Sequence, residues 1–171
     1  MLITAYMRDV IGSDLEIRKA TSSYFKSVQG WLPAISEVRL NERLEKLQSQ
    51  PSAELALLLL FMHLVLRKPC EESDPTMLSQ LYKSSKLTLG LVQMAIGPSA
   101  DIAQCGLLLS VYEYGHALSQ AALQSITDCS KTAHLLGWHT TSYWTERRAS
   151  TNWAATEEEK CTWWGILMFD R

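Results

Sequence analysis

Residues 104–139, QCGLLLSVYEYGHALSQAALQSITDCSKTAHLLGWH, carry two helical patterns that meet at Gly115-His116. The first, Ile102 to Tyr114, is apolar on nearly every side, with Gln104, Ser110 and Glu113 as its breaks. A helix that is apolar all round belongs in the middle of a packed helical domain. The second is amphipathic. Leu118, Ala122, Ile126, Cys129, Ala133 and Leu136 recur at three- and four-residue steps and share one face, while Gln120, Gln124, Thr127, Lys131 and His134 hold the opposite one. Gly137 supplies the left-handed residue that commonly ends a helix. The spacing therefore predicts a core helical hairpin.

Working outward, helix signals recur and strand signals hardly appear. Ser13 and Glu16 form a capping box, after which Ile17, Ala20, Tyr24 and Val28 make an apolar face that Gly30 stops. Trp31-Leu32-Pro33 reads as an apolar corner, since the residue before proline is pushed out of the helical region. Ser36 caps a helix with Leu40, Leu44 and Leu47 inward and many charges outward, which places it on the outside. Leu55 to Leu66, LALLLLFMHLVL, is shorter than the roughly 20 residues of a membrane span and reads as a buried core helix closed by Arg67, Lys68 and Pro69. After a short polar linker, 70–73, Asp74-Pro75 opens a helix carrying Leu78, Tyr82, Leu89, Val92 and Ile96. Ser99 caps the first helix of the central pair.

Beyond His139 the pattern changes. Residues 140–156 are rich in Ser, Thr and Asn without a sustained period, which predicts an exposed loop. Thr156 and Glu159 make a second capping box, and Cys161, Trp164, Leu167 and Met168 form the expected buried face of a last helix. That helix is strongly started and has no stop signal at Arg171, so the sequence reads as cut at its C-terminus. The expectation is all-α: one domain over 1–171, an irregular bundle of six to eight helices with no sheet.

At 171 residues and 47% hydrophobic, the chain can bury a substantial core. Sixteen Lys plus Arg against 18 Asp plus Glu leave a net charge of -2, without the clustered cations that phosphate neutralisation needs. DNA binding by this chain is therefore not expected. Cys70, Cys105, Cys129 and Cys161 lie too far apart for a structural zinc site, and Cys105 and Cys129 fall on apolar faces as buried thiols. No basic start opens a signal peptide, so an intracellular rather than secreted chain is expected. His134 and His139 are five apart, the wrong step for two metal ligands on one helix. Glu157-Glu158-Glu159 is explained by the dipole of a helix first turn. No residue is assigned to catalysis or metal binding, no cofactor is expected in this chain, and an enzyme on this scaffold is the least favoured reading. The tryptophans lack interleaved basic residues, which leaves core packing or the walls of a ligand or partner surface, with Trp138, Trp144 and Trp153 as candidates.

Four segments resemble the regulatory region, often called the middle homology region, of fungal zinc binuclear cluster transcription factors. Tyr24-Phe25 through Trp31-Leu32-Pro33 resembles the family's "YF…v…WfP". Gln104 to Gly115, with Tyr112, resembles "lQ..lLLs.Ye.G". Ala121 to His139, through Gly137, resembles "A….i..c.r.a..lGlH", with Lys131 where Arg is usual. Glu158 to Arg171 resembles "EErrR.WW.lf.lDR", with Trp163, Trp164, Asp170 and Arg171 matching and Lys160-Cys161 where a more basic run is common. The resemblance implies a regulatory domain that controls RNA polymerase II transcription in the nucleus as part of an intact factor. Zinc and DNA would belong to an N-terminal six-cysteine cluster that is not in this sequence. Protein partners or self-association and a small-molecule effector follow as expectations, with no membrane role. The competing reading is a stand-alone interaction protein derived from such a factor and acting by partner binding.

Overall fold

Two helices that cannot present a polar face to water set the centre of the molecule. A computed structural model of the chain describes residues 2–47, 49–68, 80–148 and 152–170. Among them are nine helices: α1 Leu2–Ile11, α2 Asp14–Ser27, α3 Glu37–Lys46, α4 Ala53–Val65, α5 Gln80–Ile96, α6 Ala100–Gly115, α7 Ser119–Leu135, α8 Thr141–Arg148 and α9 Trp153–Phe169. The described residues contain no strand, so the all-α expectation holds. Helices α4 and α6 pack on each other, with Leu55 to Met62 and Ile102 to Ser110 buried without a break. Around α4 lie α1, α2 and α5, and around α6 lie α7, α9 and α5.

The α6–α7 pair is the most extensive contact. Gly106 makes it close, because a Cβ there would stand 3.1 Å from the Cys129 Cβ. The Cys129 thiol donates to the Ala103 carbonyl at 3.0 Å, and burial pushes both the Cys105 and Cys129 thiols up from the usual range. Helix α6 runs through Gly115, and the left-handed residue that turns the chain is Ala117, with φ 58°. Leu118 N then reaches back to the Glu113 carbonyl at 2.9 Å. At the far end of α7, Gly137 takes φ 81° as its spacing predicts, and Trp138 N bonds the Ala133 carbonyl at 3.1 Å.

Helix α1 adds an element that the sequence pattern does not assign, with Met7 and Ile11 one turn apart and buried. Two expectations are corrected. The expected loop over 140–156 contains α8, and α9 already begins at Trp153. Thr140 starts α8 by accepting from Tyr143 N at 3.4 Å, and Asn152 caps α9 by accepting from Ala155 N at 3.2 Å, so Thr156 lies inside the helix. The buried face of α9 is also different from the one its apolar residues predict. Trp164 and Met168 are 64% and 59% exposed, Cys161 and Leu167 half-buried, and the core side holds Thr156, Glu158, Glu159, Thr162, Gly165 and Ile166. Apolar pattern misleads here because the inner face is built from small residues and paired charges. Pro69, the linker 70–73, the Asp74-Pro75 cap, Leu78 and Arg171 lie outside the described residues.

The closeness of α9 to α6 generates a test. A Cβ at Gly165 would stand 2.8 Å from Leu107 Cδ2 and 2.9 Å from Leu32 Cδ1, both on fully buried side chains. Gly165→Val should therefore destabilise by about 1–3 kcal/mol through overpacking. Trp164→Ala, one residue away on the exposed side, should stay within about 0.5 kcal/mol. Urea unfolding followed by circular dichroism would separate the two, and equal losses would contradict this orientation of α9.

Candidate functional site

The corner between α2 and α3 is where the molecule spends its polar groups. Leu32, Ala34 and Ile35 are buried but not helical, so their backbone groups need partners from elsewhere. The Ala34 carbonyl accepts from Gln104 Nε2 on α6 at 2.8 Å and from Thr162 Oγ1 on α9 at 3.0 Å. Ser36 N donates to Glu158 Oε1 at 2.8 Å, and Arg39 of α3 pairs with the other oxygen of that carboxylate. Burial, then the nearby Arg43, lowers the Arg39 guanidinium from its usual value. Arg43 in turn reaches Asp101 on α6, with Nη1 to Oδ1 at 2.9 Å.

Beside Glu158, Glu159 faces α8. Its Oε2 accepts from Tyr143 Oη at 2.9 Å and from Arg147 Nε at 3.0 Å. Thus two adjacent carboxylates of α9 hold two peripheral helices. The first-turn dipole explanation is insufficient for them, since both are buried. A third buried carboxylate, Glu113, accepts from Tyr82 Oη and from Lys86 Nζ, each at 2.6 Å, and joins α5 to α6.

The residues singled out in the sequence separate into three groups. Tyr112 is buried and stacked on His116 at 3.9 Å between ring centres. His139 stacks on His134 at 4.7 Å, and Trp163 meets His134 edge-on at 5.7 Å. The left-handed Gly137 folds the chain back and brings the two histidine rings together. His134 Nδ1 is committed to the Ser130 carbonyl at 2.8 Å. Trp31, Pro33, Gly115, Trp164 and Asp170 lie at the surface. The candidate tryptophans do not form one wall. Trp138 is buried against Trp144, whose Nε1 donates to the Trp138 carbonyl at 2.8 Å, whereas Trp153 is 72% exposed on α9. Gln104 reads in the sequence as a break in its helix, Glu158 as a first-turn charge, and Thr162 has no assigned role, yet the three tie the resembling segments together. Their signal was polarity inside otherwise buried helical stretches.

Two neighbouring hollows lie at the surface near the end of α4. One, of about 810 Å³, runs between α2 and α4 past Lys19, Ser23 and His63. The other, of about 490 Å³, is walled by Trp31, Tyr114, His116 and Phe169. Among the described residues, no group of three His, Cys, Asp or Glu side chains is arranged to hold a metal ion, and no helix is long and apolar enough to cross a membrane.

The geometry defines an all-helical packing domain whose buried polar groups serve helix-to-helix attachment. Over 137 residues the chain is 34% identical to Transcription factor BOA15 of Botryotinia fuckeliana (strain B05.10), covering 80% of this chain and 72% of that protein. The chain belongs to the family of that transcription factor. No protein-family model matches it, and no solved structure does.

Two outcomes follow from this arrangement. Glu158→Ala should cost about 2–4 kcal/mol, less than a fully buried pair because Arg39 keeps some water. The Arg39→Ala/Glu158→Ala double variant should lose less than the sum of the single losses in thermal unfolding, by about 0.5 kcal/mol or more. His63 supplies a pH test. Burial first, and then Arg67, lowers its folded pKa. The unfolded chain takes up that proton near pH 6.5. Acidification below about that value therefore favours unfolding, and urea midpoints should fall with pH more steeply in the parent chain than in His63→Gln.

Proposed function

We propose that this chain is the regulatory domain of a nuclear transcription factor of the fungal zinc binuclear cluster type, acting by contacts with protein partners or an effector. In this reading zinc and DNA are engaged by a separate cluster, and the chain contributes regulation without catalysis. The relationship to BOA15 supports a role in transcription. The observation that carries the finer reading is the meeting of the family-like segments. The 24–33 segment and its corner, α6, the α7 end and α9 touch through Ala34, Gln104, Thr162, Gly165 and the His134–His139–Trp163 group. Segments chosen for resemblance alone form one packed unit.

Regulation of this kind needs two packings that a ligand or partner binds unequally. Helix α8 is the element most suited to change, since none of its residues is buried and Trp144, Tyr143 and Arg147 attach it. A stand-alone interaction protein derived from such a factor remains the second reading, and it shares the same packed unit.

The test fuses the chain to a heterologous DNA-binding domain and measures a reporter gene. The fusion should shift expression relative to the DNA-binding domain alone, and Gly165→Val should abolish the shift. In parallel, the isolated chain at low salt should give no sequence-specific, zinc-dependent DNA retardation. Such retardation, or a reporter unaffected by the fusion, would sink the proposal. A fusion that works only by sequestering a co-expressed partner would favour the stand-alone protein.

A further inference from the structure

Lys19, Ser23 and Ser27 stand four residues apart on one face of α2, so the row runs about 12 Å. Trp31 lies beyond the helix, in the turn that follows it. Ser23 and Ser27 are too short to fill the space toward α4, and the Ser27 hydroxyl is turned back on the Ser23 carbonyl at 2.8 Å. The facing wall is the end of α4, with His63, Leu66, Arg67 and Lys68. The two hollows share Ser27, Leu66, Arg67 and Lys68 in their linings, so they adjoin there as the two halves of a trough-shaped surface.

Its charge is unlike that of the whole molecule. Lys19, Arg67 and Lys68 border it, while the chain carries -2. Among the described residues that line it the acid is Glu16, whose carboxylate already accepts from Ser13 N at 2.7 Å. None of the three cations is in an ion pair with a described residue. Arg67 and Lys68 suit the C-terminal dipole of α4, but that does not account for the apolar hollow beside them. There Trp31 and Tyr114 are 51% and 65% exposed, Tyr114 meets Phe169 edge-on at 6.2 Å, and His116 Nε2 is buried without a partner.

We propose that this trough binds an acidic amphipathic peptide segment of a partner protein. Carboxylates of the segment would meet Lys19, Arg67 and Lys68, and its apolar side chains would enter between Trp31, Tyr114 and Phe169. Length and openness favour a peptide over a small molecule, because small-molecule sites enclose most of their ligand. An amphipathic segment presents anchors at three- and four-residue steps, which matches the four-residue row on α2. The inference rests on the trough and is independent of the zinc-cluster assignment.

The experiment is selection of a displayed random-peptide library on the full chain, followed by affinity measurement with the enriched peptides. Enriched sequences should combine Asp or Glu with Leu, Phe or Trp and should bind more weakly as ionic strength rises. The exposed double variant Arg67→Glu/Lys68→Glu should bind them about tenfold or more weakly while keeping the parent's helical circular-dichroism spectrum, its melting curve lowered only slightly by the lost dipole interaction, and Trp31→Ala should also weaken binding. No enrichment, enrichment without acidic residues, or equal binding by the charge-reversed variant would overturn the proposal. A dimer in sedimentation velocity that the double variant dissolves, with peptides competing against it, would assign the trough to a second copy and overturn it as well.

Discussion

A carboxylate removed from water must be fully paired or it destabilises the fold, and Glu158 meets that requirement at the one place where the chain most needs an acceptor. Its two oxygens take Ser36 N and the Arg39 guanidinium, so one side chain of α9 fixes both the start of α3 and the corner before it. The Ala34 carbonyl in the same corner is satisfied by α6 and α9 together. Remove this junction and Leu32, Ala34 and Ile35 must either leave the core or bury bare backbone groups, which costs several kcal/mol by either route. The close approach of α9 to α6 at Gly165, and the placement of α8 by the neighbouring Glu159, both presuppose it.

The result is a molecule with two kinds of cohesion. Helices α4, α6 and α7 are held by continuous apolar burial and by small residues such as Gly106 that let backbones approach. The outer helices α3 and α8 are held by arginine–glutamate pairs whose cations still touch solvent. Apolar contacts lose little with ionic strength, while partly exposed ion pairs are screened by it.

Much of the arrangement was legible in the sequence. Serines 36 and 99 cap α3 and α6 as expected, and Ser52 caps α4 in the same way, because a short hydroxyl before an apolar run has little else to do. Gly137 adopts the left-handed conformation that its position demanded. The resembling segments were legible too, but the reason they belong together was not. Gln104 reads as a break in its helix and Thr162 carries no signal of its own, and their common acceptor on Ala34 lies 70 and 128 residues away.

What the sequence determined alone is the helical character, the burial of α4 and α6 and the core face of α7, since each follows from periodicity within one element. Which side of α9 faces inward was decided only by tertiary structure. Its apolar residues pointed one way, yet Glu158, Glu159, Thr162 and Gly165 face the core, because Arg39, Arg147, the Ala34 carbonyl and the Leu107–Leu32 contact wait there. Helix α8 and the trough beside α4 are of the same kind. A polar residue's preference for the interior depends on a partner, and a partner distant in sequence leaves no period to read.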